Sequence, residues 1–199
     1  MAVMPSDMII SKQKQFIFVS VPKTGTTSIE KVLSKYEDIE VDLHYKKHAP
    51  FHEVEYLGLD YYKFCFFRNP WDQFVSMYQY HHDSGHCYLG INYRDLSFDE
   101  YLKVAMLSEE YAIKTQIYYL TNNDGFLPDI HVFKFEDMEV SWKCICEKLQ
   151  FDAKLPHLNK STHSHYSTYY TDETKNLIAE RYKLEIKMMG YKFEENCDE

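Results

Sequence analysis

Six consecutive positions after Pro22 hold Lys23, Gly25 and four hydroxyl side chains, Thr24, Thr26, Thr27 and Ser28. This set suits an anion such as a phosphate: one full positive charge, several short donors, and a glycine that lets the backbone come close. Arg68 and Ser76 form a second set, with a guanidinium able to hold a phosphate through two prongs and a hydroxyl eight residues on.

These residues need elements to aim them. Positions 16–21 form an apolar, β-branched run, which predicts a buried strand. Ile29, Val32, Leu33 and Tyr36 recur at i, i+3, i+4 and i+7, which predicts a helix directly after the loop. A strand, a tight turn and a helix N-terminus turn several backbone N–H groups and the positive end of the helix dipole toward one point. The loop is not a Walker A sequence, because Lys23 precedes Gly25 by two residues instead of following it. The lysine therefore leaves from the loop entry. The plain alternative is an ordinary strand–helix turn with a surface lysine, and the density of hydroxyls weighs against it.

A second strand is predicted at 62–67, running straight into Arg68. Pro70 suits the first turn of a helix over 70–82, with Asn69 as its cap. If the two strands are parallel neighbours, both phosphate-type sets open at the same carboxyl edge, where open α/β sheets place their ligands. A third parallel strand is expected at 130–135. Further helices are expected at 98–107, 110–120 and 140–149, and a last one after Thr171, with Ile178, Tyr182, Ile186 and Met189 buried and Gly190 at its end. Positions 39–43 read as a short strand, 44–59 as irregular with a helical turn after Pro50, and 83–96 as a loop. Alternating strands and helices predict an α/β fold: a three-layer parallel sheet flanked by helices, P-loop-like and nucleotide-binding, in a single domain over 1–199.

At these residues the chain resembles the sulfotransferases that use 3′-phosphoadenosine 5′-phosphosulfate (PAPS). Pro22 to Ser28 look like their 5′-phosphosulfate loop, and Arg68 to Ser76 like their 3′-phosphate motif. The likeness is greatest to the carbohydrate branch and extends over most of the chain, through Lys47-His48, Gln116, Phe135-Glu136-Asp137 and Leu158-Asn159-Lys160-Ser161. It implies PAPS as sulfuryl donor and a carbohydrate hydroxyl as acceptor, with no metal. Lys23 would stabilise the leaving oxygen, and Pro22, Thr24, Gly25, Thr26, Thr27 and Ser28 would line the 5′ site. Arg68 and Ser76 would hold the 3′-phosphate, and Lys160 with Ser161 would complete the nucleotide site. His48 would be the base; His52 and Glu53 stand behind it. His52 and Gln116 are candidates for acceptor binding. The alternatives are a nucleotide-binding module that has lost catalysis and a P-loop-type small-molecule kinase. The kinase is weakened by the displaced lysine and by the lack of a strand ending in an evident Mg²⁺-binding aspartate.

Three clusters invite a metal. His44, His48 and His52 lie four apart, but Pro50 interrupts a continuous helix. His81, His82, His86 and Cys87 sit where a helix ends, and Cys144 with Cys146 lack a second ligand pair. No metal is expected. The net charge of −9 over 199 residues excludes a nucleic-acid partner held by charge alone and disfavours a densely anionic acceptor, leaving a neutral or lightly charged glycan. The chain reads as lacking both an apolar membrane anchor and a signal peptide. Five cysteines without framework spacing fit a reducing, cytoplasmic setting.

Overall fold

Phe16–Val19 is apolar at every position and buried at every position, as a strand covered on both faces requires. In the computed structural model, which describes residues 8–39, 48–107, 114–156 and 164–194, it is one of six strands: β1 (Met8–Ser11), β2 (Phe16–Val19), β3 (Tyr62–Phe67), β4 (Cys87–Tyr88), β5 (Ile91–Asn92) and β6 (His131–Lys134). The helices are α1 (Thr26–Leu33), α2 (Pro70–Ser84), α3 (Phe98–Leu107), α4 (Met138–Leu149), α5 (Asp172–Arg181) and α6 (Lys183–Met189). The chain divides into two compact units, residues 1–67 with 116–159 and residues 68–115 with 160–199.

The first unit holds a four-stranded sheet in the order β1-β2-β3-β6. β2, β3 and β6 run parallel, with Phe18 opposite Phe64 and Phe66 opposite Phe133. β1 is antiparallel to β2, so the sheet is mixed where a wholly parallel one was expected. The cause is local. Only residues 12–15 separate the two strands, which is enough to reverse the chain and far too little for a parallel crossover. The Asp38 carboxylate accepts from the N–H groups of Lys12 and Gln13 and braces that turn. One sheet face packs Ile9, Phe16, Phe18, Phe64 and Phe66 against Ile29, Val32 and Leu33 of α1 and Trp142, Ile145 and Leu149 of α4. Cys65 is fully buried, and its desolvation pushes the thiol well above its ordinary range. The turn expected after Pro50 is present as two 3-10 turns, Phe51–Glu53 and Glu55–Leu57. Of the strand expected at 39–43, all but Ile39 lies outside the described residues.

In the second unit, α2 is flanked by aromatic rings. Phe74 and Tyr78 meet Phe98 and Tyr101 of α3, and Phe98 meets Tyr169 and Tyr170. The Tyr170 hydroxyl donates to the Trp71 carbonyl at 2.9 Å, and burial holds it well above the ordinary tyrosine range. Residues 83–96 were expected to be a loop but carry the β4–β5 hairpin. Its turn places Leu89 at φ 51° and Gly90 at φ 81°, the backbone a tight two-residue hairpin needs. Leucine at the first of these positions hides the turn. The helix expected over 110–120 is a 3-10 turn at Gln116–Leu120, and 108–113 lie outside the described residues. The final helix is broken at Tyr182 (φ −107°, ψ 22°). Ile178 and Tyr182 are buried as expected, but the break turns Glu185 inward, with Ile186 and Met189 only half-buried.

Candidate active site

The loop from β2 to α1 is held by its own atoms. Thr24 is fully buried, and its hydroxyl donates to the Val21 carbonyl at 2.9 Å. In this structure that proton braces the turn. Lys23, half-buried, sits at φ 63°, a left-handed conformation uncommon for a residue with a Cβ. Gly25 follows at φ 77°. A Cβ here would lie 3.0 Å from the Phe135 ring, so glycine is needed for both backbone and space.

Gly25 occupies the N-cap of α1 and offers no side chain to cap it. The first-turn amides and the dipole are thereby directed at whatever lies beyond the loop. Thr26 is buried, Ser28 half-buried and Thr27 exposed, so the hydroxyls differ in their access to a ligand. Pro22 is buried at the loop entry.

The fold brings His48 to this loop. Its Nδ1 lies 3.0 Å from the carbonyl oxygen of Ser20 and 3.3 Å from the Ser20 hydroxyl, at the point where β2 gives way to the loop. The Ser20 hydroxyl in turn donates to Glu30 Oε1 on α1 at 2.5 Å. His48 is itself left-handed, at φ 61°.

His52 and Gln116 lie on adjoining elements, because the Phe51–Glu53 turn packs against the Gln116–Leu120 turn. The His52 ring stands edge-on to Tyr118 with centroids 6.3 Å apart, and its carbonyl accepts from Asn123. Gln116 is fully buried. Asn123 also donates through its backbone and side chain to the half-buried Glu55 carboxylate, and these bonds, the backbone one first, hold that group below its usual range.

In the second unit Arg68 and Ser76 are both buried. The Arg68 Nε donates to Asp72 at 2.7 Å, one helical turn on, which fixes the plane of the guanidinium. Asn69 caps α2 through its side chain, accepting from the Trp71 N–H at 3.2 Å, and Pro70 begins the helix. Its amide also donates to the Lys192 carbonyl at 3.0 Å. Lys160 and Ser161 lie outside the described residues, as do His44 and Lys47.

Among the described residues no group of three His, Cys, Asp or Glu side chains is placed to hold a metal ion. His81 is buried with Nδ1 3.0 Å from the Tyr101 hydroxyl and its ring stacked on His86 at 4.7 Å, a packing role. Sequence reasoning passed over Ser20, Glu30 and Asp72. Glu30 left a signal, being an acid beside Ile29 on the buried stripe of α1, and Asp72 left one in its spacing of four from Arg68.

A sequence profile of the sulfotransferase family matches residues 6–192, nearly the whole chain. In three dimensions the chain is similar to mouse sulfotransferase SULT7A1, solved in complex with PAP, with 14% identity and a TM-score of 0.56 over 95% of this chain and 87% of that one. It is also similar to a sulfotransferase from Alicyclobacillus acidocaldarius, with 17% identity and a TM-score of 0.48 over 90% of this chain and 96% of that one. No curated protein matches the sequence. The first of these likenesses extends the fold assignment to nearly the full length. The family resemblance read from the sequence and the profile match agree, and the chain belongs to the sulfotransferase family.

Proposed function

We propose that this protein transfers the sulfuryl group of PAPS to a hydroxyl of a carbohydrate acceptor, releasing adenosine 3′,5′-bisphosphate. The observation that carries the donor assignment is the 20–26 loop, where Lys23 and Gly25 take left-handed conformations ahead of an uncapped helix. The PAP bound to the mouse protein of similar fold supports the same donor.

Sulfuryl transfer resembles phosphoryl transfer, a loose in-line displacement in which charge gathers on the leaving oxygen. Lys23 neutralises that charge on the 5′-phosphate. The amides of Gly25 to Thr27 hold the same phosphate, and Arg68 and Ser76 take the 3′-phosphate, with Lys160 and Ser161 adding to the nucleotide site. His48 accepts the acceptor's hydroxyl proton while that oxygen forms the new bond to sulfur. The bond from sulfur to the bridging oxygen breaks, and its electron pair stays on the bisphosphate. The contact of His48 with Ser20 supports His48 as base over His52 and Glu53, because it ties this imidazole to the strand that delivers Lys23.

His52 and Gln116 face the acceptor in this scheme. The net charge of −9 supports a neutral or lightly charged glycan over a polyanionic one. Five cysteines without framework spacing support a cytoplasmic setting. Among the described residues no helix is long and apolar enough to cross a membrane. The profile match runs across both units, which supports treating residues 1–199 as one sulfotransferase domain.

Transfer of labelled sulfate from PAPS to a panel of neutral and singly charged glycans tests the whole scheme. Labelled product is expected, and its loss in His48→Ala by roughly two to four orders of magnitude identifies the base. Tight bisphosphate binding with no transfer to any member of the panel would favour a module that has lost catalysis. Stabilisation by ATP–Mg²⁺ and not by the bisphosphate would favour a kinase.

A further inference from the structure

Ser20, fully buried, makes two kinds of contact at once. Its carbonyl oxygen lies 3.0 Å from His48 Nδ1, and a carbonyl can only accept, so Nδ1 carries a hydrogen. The neutral ring then has its lone pair at Nε2. The Ser20 hydroxyl gives its own hydrogen to Glu30, which leaves oxygen lone pairs for the Nδ1–H at 3.3 Å. The order is directional, from imidazole to serine to carboxylate. Glu30 is buried on α1 beside Ile29, where an acid carries a desolvation cost that an aliphatic side chain would not. His48 is also held in a backbone conformation that costs energy for any residue but glycine. A buried acid and a strained histidine joined through one serine mark a site built to fix a ring.

We propose that Glu30 is a positioning residue for His48: the Ser20 carbonyl sets the Nδ1–H tautomer, and Glu30, through the Ser20 hydroxyl, orients the ring and places a negative charge behind it, leaving Nε2 to take the acceptor's proton. This rests on His48 being the base. Once Nε2 has taken that proton, the Glu30 charge, relayed by Ser20, stabilises the imidazolium until it is released. Glu30 itself never touches the acceptor or donor.

The test uses the full chain with Glu30→Gln, Ser20→Ala, Ser20→Thr, the Glu30→Gln/Ser20→Ala double variant, and His48→Ala as reference. Glu30→Gln keeps the shape and removes the charge, and it should lower kcat roughly tenfold to a hundredfold, the usual scale for outer partners of a working histidine. Donor KM and bisphosphate affinity should stay within about twofold of wild type. Ser20→Thr keeps the hydroxyl and should retain most of the activity that Ser20→Ala loses. The double variant should be no worse than the poorer single, since both break one chain. Nitrogen-15 spectra should show His48 protonated at Nδ1 in the wild type and in Glu30→Gln alike, and the acid limb of the pH–rate profile should move to lower pH in Glu30→Gln, because the imidazolium loses a nearby negative charge.

Wild-type kcat and an unchanged pH–rate profile in Glu30→Gln, with His48→Ala inactive, would overturn this role and leave the base assignment standing. Wild-type turnover in His48→Ala would remove the base assignment itself. Parallel losses of kcat and bisphosphate affinity in Glu30→Gln would make Glu30 a brace of the phosphate loop, which also overturns the proposal. If Glu30→Gln fails to fold by circular dichroism, the Ser20→Ala and Ser20→Thr pair decides: equal activities sink it.

Discussion

The junction from β2 to α1 and the junction from β3 to α2 are built from the same parts and finished in opposite ways. Each follows one of two parallel neighbouring strands and opens a helix. At the first, the N-cap is a glycine in the left-handed region with no side chain to satisfy the helix amides. At the second, the Asn69 side chain takes the Trp71 amide and Pro70 removes another donor. The first junction thus presents backbone and dipole. The second closes its backbone and presents side chains instead, Arg68 just before the helix and Ser76 two turns in. An anion met by amides is held at short range along the whole loop. One met by a guanidinium fixed by Asp72 is held by geometry.

If that contrast is right, losses at the first junction fall on rate and losses at the second on affinity. Lys23→Ala should show the largest effect, a drop in turnover of roughly two to three orders of magnitude with a much smaller change in bisphosphate affinity, since its charge matters most as the leaving oxygen becomes negative. Steady-state kinetics beside calorimetry separates the two. A variant with normal kcat and only a raised donor KM would make Lys23 a binding residue.

Arg68→Ala comes next. It should weaken adenosine 3′,5′-bisphosphate by over a hundredfold, on the order of 3 kcal/mol, while leaving 5′-AMP nearly untouched. Equal affinities of the wild type for the two nucleotides would remove the 3′-phosphate role from this junction. Gly25→Ala should follow, losing about 1–3 kcal/mol of stability from the left-handed φ alone, with the Phe135 ring forced to yield. A thermal melt reads this directly, and an unchanged midpoint would mean the loop relaxes at no cost.

What the sequence discloses follows the same divide between backbone and side chain. The loop at 20–26 was legible because lysine, glycine and hydroxyls are rare in that density, and the parallel β2, β3 and β6 because apolar β-branched and aromatic runs admit few other structures. The β1 pairing was not legible: Met8–Ser11 is short, and its direction is set by the turn that follows it. The β4–β5 hairpin hid behind Leu89, a residue that gives no turn signal. The bond from Thr24 to the Val21 carbonyl was not legible, because a sequence lists hydroxyls without saying which carbonyl each meets. The link from Glu30 through Ser20 to His48 spans 28 positions from serine to histidine, and no local pattern encodes such a contact.

The smallest effect probes the closed junction itself. In Asn69→Ala the Trp71 amide loses its cap, and the Lys192 carbonyl loses the donor that reaches it from Asn69 at 3.0 Å. Loss of the cap alone costs about 1 kcal/mol, and a carbonyl left without its partner adds a comparable amount if water does not replace it. The melting temperature should fall by a few degrees for a chain of this size. Bisphosphate affinity should change less than threefold, because Arg68 remains oriented by Asp72, which this substitution does not touch. Asn69→Asp should restore the cap, since a carboxylate accepts from the same amide and favours the positive end of α2, but not the bond to Lys192, which needs a donor. Its stability should therefore lie between alanine and wild type. If Asn69→Ala instead lost bisphosphate binding as severely as Arg68→Ala, the amides of α2 and not its side chains would be holding the anion, and the two junctions would work alike after all.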